Sequence, residues 1–353
     1  MRQDKVIFSG ENPFLEFSKC RELTVVLGHN KFMFVATLNS VNIMSSHESI
    51  VTVLEGTEDT FKDRYTIPLS LVLPLFKLDT KEKDNVLVLE TASDKVRITY
   101  NDISVDTDIF SPNGLTLQQI NNIDTVNSLE VDPKPFIQMV DIFGKTENNF
   151  CNVDGNTLFI SDDSKCLLNK TDVDYQRKFS LSVQFIRLMK SMNCVKLFIG
   201  DNIVAQTKSG LLLITNLTKI TNPNILSDYK FANRVPSDNI YNLNINKYLK
   251  HINIAVQTAE LSATLDLNRK RLSITSNSNE KTLLQLTDAE VQKEGEFDFF
   301  SSTQKEDEPI VLTDPRLIKS LASFGKVKIK VCPAFLLAQL SKTHRLMFSL
   351  GKL

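Results

Sequence analysis

The sequence predicts an α+β fold made of three like units, each with two helices packed on antiparallel strands. One observation is the order of elements: a short capped helix, alternating strands, a second amphipathic helix and further strands follow one another three times. The other is the spacing, because first helices begin near residues 13, 133 and 247 and second helices near 69, 182 and 313. A repeat of roughly 110–130 residues indicates a chain built from like units, and it favours a surface or a ring over an active site.

Composition limits the class of protein. The chain has 353 residues, and its 41 Lys and Arg residues balance 42 Asp and Glu residues, so any attraction to nucleic acid must be local. The chain start lacks a signal-peptide core and no stretch approaches about 18 apolar residues, which predicts a cytoplasmic protein without a membrane span. The five cysteines are odd in number and widely spaced, which favours reduced core thiols over disulfides.

The first unit is the least regular of the three. Asn12 and Pro13 open a predicted helix over residues 14–27, which Gly28 ends. A second helix is predicted over residues 68–78. Because Pro74 lies inside it, and an interior proline costs about 3 kcal/mol, we expect that helix to be short or bent. The predicted strands of this unit are 32–37, 41–44, 86–91, 95–99 and 103–109.

The second unit has clear helix boundaries. Asp132 and Pro133 open its first helix and Gly144 ends it, since Asp caps, Pro tolerates a first-turn position and Gly adopts the left-handed conformation. Ser182 caps the second helix, whose polar side carries Arg187 and Lys190. The predicted strands are 156–160, 165–169, 195–199, 203–207 and 211–217.

The third unit repeats this order. Its first helix begins at Asn246 and Lys247, and Pro315 opens the second helix, which Gly325 ends. Apolar residues of the second helix recur at helical spacing, namely Leu317, Ile318, Leu321 and Phe324. The predicted strands are 326–331, 334–340 and 345–350, and the acidic segment 287–308 is predicted to be a solvated loop with one strand near 297–300.

Three domains therefore follow, with boundaries at 1–122, 123–236 and 237–353 and junctions at 111–124 and 222–237. This order of parts resembles the bacterial DNA polymerase sliding clamps, the beta-clamp family. The stretches that carry the resemblance are Phe179-Ser180-Leu181-Ser182 with the helix that follows it, Leu226-Ser227-Asp228-Tyr229 with Arg234-Val235-Pro236, residues 309–330, and Tyr65-Thr66-Ile67-Pro68.

The resemblance implies three DNA-clamp domains per subunit and two subunits that close head to tail into a homodimeric ring. The turn Asp162-Asp163-Ser164-Lys165-Cys166 departs from the Asp-Gly-His-Arg-Leu of the bacterial family, and the carboxyl end lacks its proline-methionine ending. Together with an amino-acid composition rich in Asn, Lys and Ile, these departures suggest a divergent member of the family, of phage origin.

The resemblance further implies that the helices line the hole of the ring, here called the bore, through which duplex DNA passes. Duplex DNA carries about one negative charge per 1.7 Å, so the bore needs basic side chains and no base contacts. The basic residues on the six predicted helices are Lys19, Arg21, Lys77, Lys134, Lys145, Arg187, Lys190, Lys247, Lys250, Arg316 and Lys319. The acidic ones are Glu16, Glu22, Asp79, Asp141 and Asp314.

A net charge of +6 on these helices leaves about −7 for the rest of a chain whose net charge is −1. A basic bore with an acidic rim would show this separation of charge. The alternative is that Lys and Arg occupy the polar faces of amphipathic helices for solubility alone.

The family also docks polymerase and clamp-loader peptides in a groove between the middle and last domains. The nearest matches to the groove walls are Ser161, Cys166, Leu168, Pro236, Met347 and Leu350. The alternative is that these are ordinary core or turn residues. No histidine has a companion at metal-ligand spacing, and no Cys-x-x-Cys or phosphate-binding glycine loop occurs, so we expect no enzyme, metal or cofactor.

The sequence thus predicts a processivity factor that encircles duplex DNA and tethers a polymerase. Two alternatives stay open, namely a monomeric DNA-bound accessory factor of the same domain type and a clamp-fold scaffold for protein interactions. Salt-sensitive binding to linear DNA would favour the monomer. Retention on nicked circular DNA would favour the ring. Absence of binding to any DNA would favour the scaffold.

Overall fold

The protein is described here from a computed structural model. The residues that the structure describes are 2–9, 12–28, 31–38, 48–55, 64–78, 84–121, 123, 125–144, 149–162, 165–221, 224–234, 240–250, 252–253, 262–266, 271–276, 279–285, 291–293, 310–312, 316–332 and 335–349.

The first third of the chain is mostly strand. Its elements are β1 Arg2–Ser9, a 3₁₀ helix Pro13–Lys19, β2 Cys20–Gly28, β3 Lys31–Leu38, β4 Glu48–Glu55, β5 Arg64–Pro68, α1 Leu69–Phe76, β6 Asp84–Ala92, β7 Lys95–Tyr100, β8 Ile103–Asp108 and α2 Gly114–Asn121.

The middle third adds helices at its start, centre and end. Its elements are β9 Leu129–Val131, α3 Lys134–Phe143, β10 Phe150–Asp154, β11 Thr157–Ser161, β12 Lys165–Lys170, β13 Phe179–Ser182, α4 Val183–Ser191, β14 Cys194–Ile199, β15 Asn202–Thr207, β16 Leu212–Asn216 and α5 Ile225–Arg234.

The last third again alternates strands with short helices. Its elements are β17 Ile240–Asn244, a 3₁₀ turn Asn246–Tyr248, β18 Ser262–Asp266, β19 Arg271–Ser276, β20 Asn279–Gln285, β21 Val291–Lys293, β22 Ile310–Leu312, α6 Arg316–Ala322, β23 Lys326–Val331, β24 Phe335–Gln339 and β25 His344–Ser349.

The chain forms two compact units. The first comprises Met1–Ile137 and Leu181–Thr218, and it holds a four-stranded sheet of order β1-β6-β7-β8 and an eight-stranded sheet of order β5-β2-β3-β4-β16-β15-β14-β9. The second comprises Gln138–Ser180 and Lys219–Leu353, and apart from the end of β13 it holds a four-stranded sheet of order β20-β19-β18-β22 and a nine-stranded sheet of order β13-β10-β11-β12-β25-β24-β23-β17-β21.

Two strand pairings join neighbouring repeats. In the first compact unit, β4 of the first repeat pairs antiparallel with β16 of the middle repeat, with Val51 opposite Leu212. In the second unit β12 pairs antiparallel with β25, with Cys166 opposite Met347. Strands of the middle repeat thus belong to two sheets, one shared with the first repeat and one shared with the third. The division between the compact units therefore falls inside the middle repeat. The three domain boundaries given above stay a prediction.

An aromatic cluster forms the core of the first repeat. Phe14 stacks on Phe76 with ring centroids 4.2 Å apart and meets Phe34 edge to face at 5.1 Å. Asn12 caps the 3₁₀ helix through its Oδ1, which accepts from the Phe14 amide at 2.9 Å. Its Nδ2 donates to the carbonyl oxygen of Phe76 at 2.6 Å, so the predicted cap also ties the 3₁₀ helix to α1.

The predicted helix over 14–27 is wrong beyond Lys19. Residues from Cys20 onward form β2, which pairs with both β3 and β5. The physical reason is the run Leu23-Thr24-Val25-Val26-Leu27, whose β-branched residues favour a strand and whose first three residues are all buried. The second helix of this repeat is short, as predicted, and spans the eight residues of α1 with Pro74 inside.

Two helices were not predicted. α2 lies in the first expected junction and α5 lies in the second. Both are short and polar enough that the sequence pattern resembles a linker. The predicted strands at 41–44 and near 297–300 lie outside the described residues.

Candidate functional site

The clearest basic helix face is that of α4. Ser182 caps the helix by accepting from the Phe185 amide at 3.0 Å. The helix buries Val183, Phe185, Ile186 and Met189. Arg187 is partly exposed and Lys190 is exposed, so both predicted bases lie away from the buried stripe.

The start of α3 carries one exposed base. Asp132 Oδ1 accepts from the Lys134 amide at 2.9 Å, which is the predicted cap, and Asp132 Oδ2 lies 3.9 Å from Lys134 Nζ. The carboxylate therefore offsets part of the charge that Lys134 presents. Lys145, predicted as one of the bases of the six helices, lies outside the described residues.

The third repeat places its bases on two neighbouring short helices. Lys247 and Lys250 are exposed, and Lys247 Nζ lies 4.9 Å from the ring centroid of Tyr248. On α6, Lys319 is exposed while Ile318 is buried, and Arg316 is the first residue of the helix. Asn246 Nδ2 donates to the carbonyl oxygen of Ala322 at 2.8 Å, which joins the two helices.

The first repeat differs in the chemistry of its exposed helix face. On α1 the exposed side carries Leu71, Pro74, Lys77 and Leu78, and Leu71 is 49% exposed. Lys77 is therefore the one base on the described part of that face. Lys19 ends the 3₁₀ helix.

The prediction that Arg21 lies on a helix is wrong. Arg21 lies on β2, where the register shifts between Cys20 and Glu22, and Glu22 lies on the same strand. Arg21 and Glu22 therefore no longer count among the helical residues. Because their charges are opposite, the net charge counted on the helices does not change. The basic helix faces belong mainly to the second and third repeats.

A second candidate feature is an apolar cluster in the second compact unit, here called the groove cluster. Its buried members are Phe159, Cys166 and Leu168. The partly buried residues packed against them are Ile220, Leu226, Tyr229 and Met347. Strands β11, β12 and β25 supply the floor, and α5 supplies one wall.

Three of the six predicted groove residues meet in this cluster, namely Cys166, Leu168 and Met347. Ser161 is buried opposite Cys166 at the end of β11, and its carbonyl oxygen accepts from Asn149 Nδ2 at 3.1 Å. Pro236 and Leu350 lie outside the described residues.

Sequence reasoning missed four members of the groove cluster: Phe159, Ile220, Leu226 and Tyr229. A signal for two of them was present, because Leu226 and Tyr229 are three residues apart and so lie on one face of a helix. Phe159 and Ile220 carry no distinguishing local pattern.

The floor of the groove cluster is uncharged. Burial, together with the nearby carboxylates of Asp162 and Asp228, raises the pKa of the Cys166 thiol to about 12. Burial also raises the pKa of Tyr229, against the opposing effect of the Arg345 guanidinium. A neutral thiol is a poor nucleophile, so the arrangement suits the docking of apolar side chains rather than covalent chemistry.

Among the described residues, each four-stranded sheet ends in two outer strands. In the first unit β8 is an outer strand, and its first residue, Ile103, is 49% exposed. In the second unit β20 is an outer strand. Unpaired edges of this kind present backbone groups to which another strand can be added.

The described residues contain no group of three or more His, Cys, Asp or Glu side chains placed to hold a metal ion. They also contain no helix long and apolar enough to cross a membrane.

Comparison with known proteins finds similarity in structure only. No protein-family model and no curated protein sequence matches the chain. A putative DNA polymerase III beta subunit from Eubacterium rectale matches with a TM-score of 0.69 at 14% identity, over 99% of this chain and 100% of that one. The DNA polymerase III beta subunit of Pseudomonas aeruginosa matches with a TM-score of 0.66 at 11% identity, over 99% and 100%.

The DNA polymerase III beta subunit of Thermotoga maritima matches with a TM-score of 0.63 at 12% identity, over 100% of both chains. Identities this low carry information on fold and not on individual site residues. The resemblance expected from the order of elements is confirmed at that level. The chain has the fold of the bacterial DNA polymerase III beta subunits, the sliding clamps.

Proposed function

We propose that the protein is a sliding clamp, a non-enzymatic ring that encircles duplex DNA and tethers a DNA polymerase. The observation that carries the proposal is the match of the whole chain to bacterial sliding clamps. The exposed bases on α4, α6 and the turn at Lys247 support it, because a bore needs positive charge without base contacts.

In this proposal DNA is retained by topology, so individual phosphate contacts can be weak. The residues assigned to the bore are Lys19, Lys77, Lys134, Lys145, Arg187, Lys190, Lys247, Lys250, Arg316 and Lys319. Arg21 is not assigned to it because a strand carries that residue. The second and third repeats then supply most of the electrostatic attraction.

The ring closes between two copies, head to tail, with the first repeat of one copy against the third repeat of the next. We assign β8 and β20 to this junction, because each is an outer strand of its sheet. Pairing these edges across the junction would satisfy backbone groups that otherwise face solvent. The exposed Ile103 side chain would then be covered.

The groove cluster is assigned to partner docking. Polymerase and clamp loader would each insert apolar side chains over Cys166, Leu168 and Met347, between the β-strands and α5. The uncharged floor and the carboxylates of Asp162 and Asp228 nearby match the apolar centre and polar rim of protein interfaces.

The test of encirclement compares DNA of two topologies. The protein, loaded on nicked circular DNA by the clamp loader of its host, should stay bound in salt and dissociate once the circle is linearised. Binding to linear DNA that weakens steeply with salt would point to the monomeric accessory factor. Indifference to both DNAs would point to the scaffold.

A further inference from the structure

A cavity of about 680 Å³ lies in the first compact unit, at the outer edge of the eight-stranded sheet. β2 contributes Cys20 and Glu22, β5 contributes Thr66, and the segment after β8 contributes Phe110. Its volume falls within the range of about 300–1,000 Å³ that is usual for ligand pockets. Neither the bore nor the groove cluster uses these residues.

Backbone hydrogen bonds fix the rim of this cavity. The Thr66 amide donates to the carbonyl oxygen of Phe110 at 2.9 Å, and the Phe110 amide donates to that of Thr66 at 2.8 Å. This two-way bridge holds Phe110 beside the sheet edge, yet 56% of Phe110 remains exposed. An aromatic ring of this size at a cavity rim is available to stack on an occupant.

The polar lining accepts and donates hydrogen bonds. Ser70 and Asn113 are exposed and carry donors and acceptors. The hydroxyl oxygens of Thr24 and Thr66 lie 2.8 Å apart, and both side chains are buried. Of these two residues Thr66 lines the cavity and Thr24 does not, so only the Thr66 hydroxyl borders the space of an occupant.

The charge of the lining selects the occupant. Among the described residues that line the cavity, Glu22 alone is charged, and it is exposed. A carboxylate opposes the entry of an anion. It favours a cation, which the face of the Phe110 ring would attract as well.

We propose that this cavity binds a lysine or arginine side chain from a basic segment of a partner protein. The ammonium or guanidinium group would lie between the Glu22 carboxylate and the face of the Phe110 ring. The neighbouring peptide carbonyl groups would accept from Ser70 and Asn113. This site is separate from the proposed ring and does not depend on it.

The test is a ligand-observed NMR titration of the full chain with N-acetyl-lysine N-methylamide and its arginine counterpart. The norleucine counterpart keeps the aliphatic stem and lacks the charge. Because exposed ion pairs contribute up to about 1 kcal/mol, the basic probes should bind up to about fivefold more tightly than norleucine. Glu22→Gln should remove that preference, and Phe110→Ala should weaken the basic probes two- to fivefold, about the effect of an exposed cation–π contact.

Two matched variants control for altered folding. Glu22→Asp keeps the charge and should keep the preference, while Glu16→Gln removes an exposed carboxylate outside the cavity and should change nothing. Thermal unfolding followed by circular dichroism checks that each variant is folded. Equal binding of the lysine and norleucine probes, no binding of either, or an unchanged preference in folded Glu22→Gln would each overturn the proposal. Retention on nicked circular DNA is measured separately and bears only on the ring.

Discussion

Lys165 Nζ donates a hydrogen bond to the carbonyl oxygen of Phe143 at 2.8 Å, at the carboxyl end of α3. Lys165 is buried, and its Nζ also lies 4.4 Å from the centroid of the Phe143 ring. A cation suits the negative end of a helix. Because Cys166 follows directly on β12, this contact anchors the strand that forms the groove floor to a helix assigned to the bore.

Replacing Lys165 should therefore destabilise the second compact unit. In Lys165→Met the carbonyl oxygen of Phe143 loses its donor, and a buried unsatisfied group of this kind costs about 1–3 kcal/mol. Urea unfolding should show a free energy of unfolding that is lower by that amount, and hence a lower midpoint. The control is Lys170→Met, an exposed residue of the same strand, for which the midpoint should hardly move. An equal loss in both variants would contradict the role given to Lys165.

Alkaline pH should destabilise the fold through its buried thiols. Burial raises the pKa of Cys166 and of Cys194 to about 12 and raises that of Cys151 as well. Since the unfolded thiols ionise near pH 9 and the folded ones do not, this stabilisation is present below pH 9 and is lost as the pH rises towards 12.

The expected loss is about 1.4 kcal/mol per pH unit for each such thiol. Urea unfolding from pH 8 to 10.5 measures it. Cys166→Ala should reduce the slope by the share of one thiol, whereas a slope equal to that of the unsubstituted protein would show that Cys166 ionises freely in the folded state.

Charge reversal on the proposed bore should reduce retention on DNA. Replacing Arg187, Lys190, Arg316 and Lys319 by glutamate removes four attractive charges and adds four repulsive ones, while the helices keep their buried stripes. Retention on nicked circles should fall by at least tenfold. A protein with the same net charge, reversed at the exposed residues Lys95, Lys208, Lys326 and Lys342, should be retained. Retention by both proteins would remove these helix faces from the bore.

Lys77→Glu should have a smaller effect than either Lys190→Glu or Lys319→Glu. The exposed face of α1 carries Ser70, Leu71, Pro74 and Leu78 beside Lys77 and, among the described residues, no second base. The same nicked-circle assay ranks the three variants. An effect of Lys77→Glu as large as that of the other two would contradict the charge asymmetry between repeats.

A charge in the groove cluster should separate partner docking from DNA retention. Met347 is partly buried at the cluster, so Met347→Glu places a carboxylate where apolar side chains would dock. Primer extension by the cognate replicative polymerase should lose its stimulation, and protein already on nicked circles should stay there. Lys342→Glu, an exposed position in the turn before β25, is the control. Unchanged stimulation in Met347→Glu would place the docking site elsewhere.

Much of the helix pattern could be predicted because its boundaries depend on single residues. Gly144 and Gly325 both have positive φ, 93° and 67°, directly after the predicted helix positions. The alternation of 326–331 likewise predicts β23. These features follow from local backbone geometry, which the sequence determines without reference to distant contacts.

Other elements depend on tertiary contacts and could not be predicted. β10 was missed because Cys151, Asn152 and Val153 are all buried, so its sequence does not alternate. Asn152 is satisfied there by distant groups, accepting from Ser180 Oγ at 2.6 Å and from the Thr221 amide at 2.9 Å. Three members of the groove cluster, Cys166, Leu168 and Met347, could be named in advance through the resemblance. Phe159 and Ile220 could not, because only the packed structure brings them to the cluster.

The junction of the ring can be tested at one exposed residue. Ile103→Asp places a charge on the outer strand β8, where the proposed junction would bury it. Sedimentation should show a shift towards monomer. Val126→Asp, at a position 90% exposed in the same compact unit, should leave the mass unchanged. Equal behaviour of the two variants would rule β8 out as the junction strand.

The mass of the unsubstituted protein in solution tests the ring most directly. Each chain has a mass of 39.9 kDa, and the two-subunit ring predicts twice that value at micromolar concentration by analytical ultracentrifugation. A species that remains at 39.9 kDa across the micromolar range would contradict the homodimeric clamp.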